Sequence, residues 1–407
     1  MTRILALALG VLCTVGALAA LAARQSATAV VIDLDVAGLA LTVLAVPLLG
    51  WGISSGTQRP RWRVVRRRIG ACALVLAVAA ALGLAYPRLV LFASEELRFT
   101  NGAVQLAGTL YTPRHALAAA VVLVHGSGPE TRDKYRFYAR WLAEHGVAAL
   151  AYDKRGTGAS SGGLYESTYA GYADDVVAAV DAVMAHVDVA PGAVGLVGFS
   201  EAEWVAPLAA AASPSIGFVA IIGASGISPA EQVQAELSLR LSARGYDPTT
   251  VERARALNAR VLDYQRTGAG RESLESELRQ AASQPWFGDA EDIPAQLYAP
   301  DEYEWWRSVM DFNASDAWSR VAVPILLLKG GADDRSPADV MRDQIADALT
   351  RGSGQQPDVV VFPGADHMLL RWPFGQGVPP PQFADGFLET LLMWITDQAR
   401  RGAKRPS

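Results

Sequence analysis

The chain begins with three long apolar runs that contain no charged residue, namely Ile4–Ala23, Val36–Ile53 and Ile69–Tyr86. Each run is long enough to cross the apolar core of a bilayer as a helix. The pattern therefore predicts a membrane anchor of two or three transmembrane helices over residues 1–93. The number stays open because the first run also has the features of a cleaved signal peptide, with Arg3 before it and Ala20-Leu21-Ala22 near its end.

The charges divide at the same boundary. Residues 1–93 carry nine arginines and two acidic residues, a net charge of +7, which leaves −12 on the remainder of a chain whose total is −5. Six of these arginines lie in Gln58–Arg68, and loops rich in arginine stay in the cytoplasm. We expect a multi-pass protein of the cytoplasmic membrane with residues 94–407 on the extracytoplasmic side. The acidic balance of the larger part argues against a nucleic-acid partner.

Beyond residue 93, short apolar runs alternate with amphipathic, helix-like segments, after a predicted hairpin around Asn101-Gly102. This alternation predicts an α/β domain with a doubly wound, mostly parallel sheet over residues 94–407. The predicted strands are Ala119–Val124, Val147–Tyr152, Gly195–Phe199, Phe218–Ile222, a run that begins at Val323, and Val359–Phe362.

The alternation stops between about residues 225 and 320, where the pattern is charged and helical. We interpret this segment as a helical cap inserted over the strand ends. Its second half is rich in aromatic residues, namely Trp286, Phe287, Tyr298, Tyr303, Trp305, Trp306, Phe312 and Trp318. Together they favour a pocket for an apolar acyl or aryl group.

One predicted strand ends in Gly198-Phe199-Ser200, and a helix-like run from Trp204 to Ala212 follows at once. A serine on a sharp turn from strand to helix is typical of a nucleophile elbow, where the hydroxyl is exposed above the sheet. The second position after the serine is usually glycine, and here it is Ala202. We therefore predict that Ser200 is a nucleophile that needs a base within hydrogen-bond reach.

Only one of the five histidines, His367, follows Ser200 in the chain, and it comes directly after a predicted strand. We predict that it is the base. The loop after the strand from Val323 contains Asp333 and Asp334, and we expect Asp333 to orient the imidazole, with Asp334 as the alternative. Asp366 is too close to His367 in sequence to orient it well.

An acyl-transfer site also needs two backbone N–H groups directed at the developing oxyanion. We assign one to Glu201, the residue after the nucleophile, and the other to the glycine-rich loop at Gly126 and Ser127. We expect His125 in that loop to be structural and Glu203 to interact with the positive end of the helix after the elbow.

Four segments together resemble the α/β-hydrolase superfamily, and more closely bacterial esterases related to dienelactone hydrolases and prolyl-oligopeptidase-like enzymes. They are His125–Asp133, Tyr152–Gly158, Gly198–Glu203, and the pair Gly330–Asp334 and Gly364–His367. The resemblance covers residues 94–407 and implies hydrolysis of carboxylic esters, with Ser200, Asp333 and His367 as the triad. The chain departs from the family's elbow at Ala202-Glu203, where Gly-Gly is usual, and the effect on activity stays open.

The sequence thus predicts a serine hydrolase that acts through an acyl-enzyme on a small ester with an apolar acyl or aryl group, with no cofactor and no metal ion. The alternatives are an acyltransferase or peptidase that uses the same triad, and a non-catalytic, membrane-tethered binding module whose elbow has decayed. The natural substrate, the acyl chain length and the oligomeric state stay open.

Overall fold

The structure, a computed structural model, describes residues 91–190, 192–373, 375 and 381–402. Within these residues, ten strands run from β1 to β10: Phe92–Asn101, Val104–Pro113, Ala119–Val124, Val147–Tyr152, Val194–Phe199, Phe218–Ile222, Ile325–Gly330, Asp358–Phe362, Leu370–Arg371 and Gln382–Phe383. Ten α-helices in the same described part of the chain run from α1 to α10: Arg132–Glu144, Tyr169–His186, Ala202–Ala212, Pro229–Ala243, Pro248–Thr267, Arg271–Ala281, Glu304–Val309, Ser315–Ser319, Ala338–Arg351 and Phe387–Gly402.

Eight strands form one sheet in the order β1-β2-β4-β3-β5-β6-β7-β8. The hairpin of β1 and β2 is antiparallel and joins β4 in an antiparallel pair, whereas the pairs from β4 to β8 are all parallel. The predicted doubly wound, mostly parallel sheet is therefore confirmed. Because the parallel strands point the same way, the loops after β3, β5, β7 and β8 meet at one edge of the sheet.

Helices cover both faces of the sheet, which explains why its central strands are continuous apolar runs. Every residue of β3, β4, β5, β6 and β7 is buried. One core cluster lies on the face that packs against α2, α3 and α9, and a second lies on the face that packs against α1 and α10. This packing holds the strand ends, and the loops that follow them, in fixed positions.

Between β6 and β7 the chain forms five helices, α4 to α8, with two short 3₁₀ turns. The larger of these helices share a hydrophobic cluster of their own, built around Leu237, Tyr264 and Trp286. The segment joins the body of the protein through side chains: Trp204 on α3 donates to the carbonyl oxygen of Ile227 over 2.9 Å. The segment between β6 and β7 therefore lies at the edge of the sheet where the parallel strands end.

The predicted membrane spans, Ile4–Ala23, Val36–Ile53 and Ile69–Tyr86, fall outside the described residues. Among the helices that the structure does describe, none is both long and apolar enough to cross a bilayer. The two longest, α2 and α5, carry several charged side chains each. This finding contradicts the prediction of a multi-pass protein of the cytoplasmic membrane with its larger part on the extracytoplasmic side. That prediction was wrong, because the described helices do not include a span.

Candidate active site

Ser200 lies on the sharp turn between β5 and α3, and its φ angle is 52°. A residue other than glycine adopts a positive φ only where its surroundings impose it. Here the Ser200 N–H donates to the carbonyl oxygen of Ile222 on the neighbouring strand over 2.8 Å. A Cβ at Gly198 would lie 2.5 Å from the Cβ of Ala202, so the turn closes only because Gly198 has no side chain.

His367 approaches Ser200 from the loop after β8, and Asp333 approaches His367 from the loop after β7. The Nε2 atom of His367 is 2.9 Å from the Ser200 Oγ, and its Nδ1 atom is 2.9 Å from the Asp333 Oδ2. Since an ionised carboxylate only accepts hydrogen bonds, Nδ1 carries the ring proton and Nε2 is free to accept the serine proton. Gly223 leaves room for the ring, because a Cβ there would lie 2.9 Å from His367 Cε1.

Asp333 is buried and all of its hydrogen-bond partners are donors. Its Oδ2 accepts from His367 and lies 2.8 Å from the Nζ of Lys329, while its Oδ1 accepts the Arg335 N–H over 2.8 Å. Burial alone would raise the pKa of Asp333, but the hydrogen bond and charge of His367, together with Lys329, outweigh it and lower the pKa. The carboxylate is therefore ionised wherever the site can act as a base.

The other two aspartates near His367 are turned elsewhere. Asp334 is half exposed, and its charged partner is Arg335 at 3.8 Å. Asp366 accepts the backbone N–H groups of Met368 and Leu370 over 2.9 Å, and the indole N–H of Trp372 over 2.8 Å. Of the three acids that the sequence offers, the structure brings Asp333 to the imidazole.

The predicted oxyanion donors divide into two groups. The N–H of Gly126 is already engaged, since it donates to the Glu130 Oε2 over 2.7 Å and to the Tyr135 hydroxyl over 2.9 Å. The structure therefore differs from the prediction at Gly126, because the buried Glu130 carboxylate needs donors and takes this one. Among the described residues, neither the N–H of Ser127 nor that of Glu201 bonds an acceptor.

A buried ion pair joins the segments that carry these two free N–H groups. The Nζ of Lys154 lies 2.5 Å from the Glu201 Oε1, and it also donates to the carbonyl oxygens of Gly126 at 3.0 Å and Gly128 at 3.4 Å. Burial raises the pKa of Glu201, and the charge and hydrogen bond of Lys154, with a hydrogen bond from the Ser127 side chain, oppose the rise. Lys154 thus fixes the loop after β3 relative to the first residue after Ser200.

Glu203 does not have the helix-terminus role that we expected from its position. Its carboxylate turns into the protein and accepts the N–H groups of Ser225, over 2.9 Å, and Gly226, over 2.7 Å, together with the Ser225 hydroxyl. Burial raises the pKa of Glu203 to about 7, and these hydrogen bonds oppose the rise. The acidic side chain that stands where the family's elbow usually has glycine is therefore directed away from Ser200, into the loop after β6.

His125 packs in the interior, as expected. One ring nitrogen lies 2.6 Å from the carbonyl oxygen of Tyr152, and the ring contacts those of Tyr135 and Tyr152. Burial, aided by the charge of Lys154, lowers the pKa of His125 to about 4, so the ring is neutral near pH 7. No group of three or more His, Cys, Asp or Glu side chains in the described part of the chain is placed to hold a metal ion.

Sequence reasoning missed two lysines at this site, Lys154 and Lys329. Both were readable as anomalies, because each occurs at or beside the end of a strand that is otherwise fully buried. Because a lysine is almost never fully buried without a partner, each of these positions predicts a carboxylate nearby. The partners, Glu201 and Asp333, could not be identified from the order of residues along the chain.

The aromatic residues between β6 and β7 mainly pack the helices. Trp286 and Tyr303 belong to the cluster shared by those helices, and Trp318 lies in the core of the main sheet. Trp305 connects the two parts, since its indole N–H donates to the carbonyl oxygen of Ser167 over 2.7 Å. Tyr298 is the exception, with 61 % of its surface exposed.

Residues 121–382 match the model of the alpha/beta hydrolase family. No curated protein matches the chain. Similar solved structures include a proline iminopeptidase from Mycobacterium smegmatis, with 19 % identity and a TM-score of 0.48, covering 75 % of this chain and 99 % of that one. The 2,6-dihydroxy-pseudo-oxynicotine hydrolase has 15 % identity and a TM-score of 0.47 over 100 % and 90 % of the two chains. Est1E from Butyrivibrio proteoclasticus, with ferulic acid bound, has 17 % identity and a TM-score of 0.46 over 76 % and 100 %.

Proposed function

The chain belongs to the alpha/beta hydrolase family, and from this premise we propose that it is a serine hydrolase that cleaves carboxylic esters through an acyl-enzyme. The observation that supports the proposal is the pair of contacts at His367, 2.9 Å to the Ser200 hydroxyl on one side and 2.9 Å to the Asp333 carboxylate on the other. A nucleophile, a base and an orienting acid within hydrogen-bond reach are what acyl transfer requires.

In the first half of the proposed reaction, the Ser200 Oγ attacks the ester carbonyl carbon while its proton moves to the His367 Nε2. Asp333 holds the ring in the required tautomer and stabilises the imidazolium that forms. The tetrahedral intermediate then collapses as the bond to the alkoxy oxygen breaks, and His367 returns the proton to that oxygen so that the alcohol leaves.

In the second half, water attacks the acyl-enzyme, and His367 takes the proton of that water. The second tetrahedral intermediate collapses as the bond between the acyl carbon and the Ser200 Oγ breaks, and His367 returns the proton to that Oγ as the carboxylic acid leaves. We assign the stabilisation of both oxyanions to the backbone N–H groups of Ser127 and Glu201, which is supported by their lack of other acceptors among the described residues. Gly126 contributes its carbonyl oxygen to Lys154 instead.

We further propose that helices α4 to α8 form a cap over this edge of the sheet and select an ester with an apolar acyl or aryl group. Two contacts support this location. Trp204, four residues after the nucleophile, bonds the carbonyl oxygen of Ile227 at the start of the segment. Arg335, two residues after Asp333, forms an ion pair with Glu236 on α4.

The test is hydrolysis of p-nitrophenyl esters from acetate to decanoate by the full chain, beside Ser200→Ala. We expect activity in the wild type and a loss of about 10⁶-fold in kcat in the variant. Ser283→Ala, which changes an exposed serine between α6 and α7, serves as the matched control and should retain full activity.

Labelling with a fluorophosphonate separates an active site from a decayed one. The wild type should become covalently labelled at Ser200, and the Ser200→Ala variant should not. Equal ester hydrolysis by both proteins, or a wild type that stays unlabelled, would show that this site does not perform the chemistry.

A further inference from the structure

Lys329 is a charged residue inside a strand of the central sheet, and none of its surface is exposed. Its ammonium group has three acceptors: the Asp333 Oδ2 at 2.8 Å, the carbonyl oxygen of Ala224 at 2.8 Å and the Ser336 Oγ at 3.2 Å. An ammonium group has three N–H bonds, so every donor is satisfied. A buried cation with a complete set of partners is held in one position.

The same cluster continues to Glu203 through the loop after β6. Ala224 in that loop accepts from Lys329, and the next residue, Ser225, donates its N–H and its hydroxyl to Glu203. Ser336 closes the cluster, because its hydroxyl donates to the carbonyl oxygen of Ser225 over 3.0 Å. The loop is thus held from both sides, by the buried ammonium group of Lys329 and by the buried carboxyl group of Glu203.

The Asp333 Oδ2 atom accepts hydrogen bonds from both Lys329 and His367. The ammonium group is therefore only two hydrogen bonds away from the imidazole, in a buried region where charges are poorly screened. A cation at this distance opposes the formation of a second cation on the ring. It also fixes the carboxylate oxygen that orients the ring.

Other charged groups face this part of the site from each element packed against it, but they have partners of their own. On the loop after β7, Arg335 forms an ion pair with Glu236 of α4 and lies 3.8 Å from the half-exposed Asp334. On the loop after β8, Asp366 accepts hydrogen bonds from Met368, Leu370 and Trp372. On α3, Glu203 accepts from Ser225 and Gly226. Lys329 is the cation bonded directly to the acid.

We propose that Lys329 is a positioning residue for the reaction: it fixes the Asp333 carboxylate and keeps His367 in its neutral, proton-accepting form down to a lower pH than the pair of Asp333 and His367 would allow alone. Glu203 and Ser225 hold the loop that supplies one of the lysine's acceptors. This inference rests on the proposed serine-hydrolase function, since it concerns the base of that reaction.

The test is the pH profile of kcat/KM for p-nitrophenyl butyrate between pH 5 and 9, with the wild type, Lys329→Gln and Glu203→Gln. Lys329→Gln removes the charge but keeps a side-chain donor. We expect the acid limb of its profile to move to higher pH by about one unit, because the imidazolium no longer faces a second cation. The rate of labelling by a fluorophosphonate at each pH should move in the same way.

Glu203→Gln is the matched control, because it perturbs the other end of the same cluster without removing the cation beside Asp333. Its acid limb should stay near that of the wild type or move to lower pH. A purely structural role for the cluster would lower kcat in both variants and leave both limbs in place. An unchanged limb in Lys329→Gln, or an equal upward shift in Glu203→Gln, would overturn the proposal.

If Lys329→Gln does not fold, the double variant Glu203→Gln/Lys329→Gln replaces it, since that variant also removes the buried carboxyl group of Glu203, and an upward shift relative to Glu203→Gln is expected. Failure of both variants to fold would assign Lys329 a structural role only and would also overturn the proposal. The outcome is separate from that for the proposed function. A wild type without activity, or a Ser200→Ala variant that keeps it, refutes the hydrolase assignment, whereas an active wild type with unmoved limbs refutes only the role of Lys329.

Discussion

Replacing Asp333 with asparagine tests which residue is the acid that orients His367, since the sequence left two candidates for it, Asp333 and Asp334. The two carboxylate oxygens of Asp333 receive three donors, namely the ring N–H of His367, the ammonium of Lys329 and the backbone N–H of Arg335. An amide has one oxygen, so its nitrogen must face a donor whichever way it is turned. If the nitrogen faces His367, the ring takes the wrong tautomer, and if it faces Arg335, that N–H loses its partner.

The magnitudes follow from these contacts. Loss of the correct tautomer and of the charge that stabilises the imidazolium lowers kcat by about 10⁴-fold, or about 5 kcal/mol of barrier, in serine hydrolases with this arrangement. The substitution also leaves the fully buried Lys329 without its counter-charge. Removing one partner from a buried ion pair costs about 3–5 kcal/mol of unfolding free energy. We therefore expect Asp333→Asn to lose both activity and stability.

The assay is kcat/KM for p-nitrophenyl butyrate, together with urea unfolding followed by tryptophan fluorescence. The matched control is Asp334→Asn, which changes the adjacent, half-exposed side chain whose charged partner is 3.8 Å away. A substitution of that kind should alter stability by no more than about 0.5 kcal/mol, and we expect activity within a few fold of the wild type. If Asp334→Asn removed the activity while Asp333→Asn kept it, the assignment of the acid and the reasoning about its three donors would both be wrong.

Two further predictions concern the residues around the nucleophile. Gly198→Ala should lower the unfolding free energy by about 1–3 kcal/mol, because the added Cβ would lie 2.5 Å from the Ala202 Cβ and 2.8 Å from the Ile221 Cδ1. Adding Ala202→Gly should recover part of that loss in urea unfolding, and simple additivity of the two effects would contradict the proposed contact. Glu203→Gln should alter how the unfolding free energy depends on pH. Burial raises the pKa of Glu203 from 4.5 to about 7 in the folded protein. Between these two values the folded state keeps a proton that the unfolded state has lost, so the unfolding free energy falls as pH rises through that range. Between pH 4.5 and 8 the unfolding free energy of the wild type should fall by about 3 kcal/mol more than that of Glu203→Gln. Parallel curves of unfolding free energy against pH for the two proteins would count against the raised pKa.

The sheet could be predicted from the sequence because its physical cause is local. Strands covered on both faces by helices must be apolar throughout, and runs such as Ala119–Val124 and Phe218–Ile222 match the observed strands residue for residue. The elements around the candidate site follow from the same logic. Ser200 comes directly after such a strand, and His367 is the one histidine that follows it in the chain.

The parts that could not be predicted depend on which buried donors and acceptors pair with one another in the folded chain. The pattern indicated the N–H groups of Gly126 and Ser127 after β3, but it could not show that Glu130 and Tyr135 accept the N–H of Gly126. Glu203 stands where an acid favours the positive end of a helix, yet its carboxylate bonds the N–H groups of Ser225 and Gly226, more than twenty residues away. In both cases a buried carboxyl group accepts hydrogen bonds from backbone N–H groups, and the local sequence pattern does not show which N–H groups these are.

The two buried lysines have a common physical basis. The chain has 32 arginines and only four lysines, and two of those lysines, Lys154 and Lys329, are buried in ion pairs with Glu201, the residue after Ser200, and with Asp333. Each ammonium group has three acceptors, one of them a carboxylate oxygen and two of them neutral oxygens. Arginine would bring five N–H donors in a rigid plane to sites that offer three acceptors around a point. Buried donors without acceptors are costly, so the geometry of these acceptors requires lysine even in a chain that otherwise uses arginine. One lysine fixes the segments that carry the proposed oxyanion donors and the other fixes the proposed acid, so both groups that the proposed reaction needs in place are held by the same kind of contact.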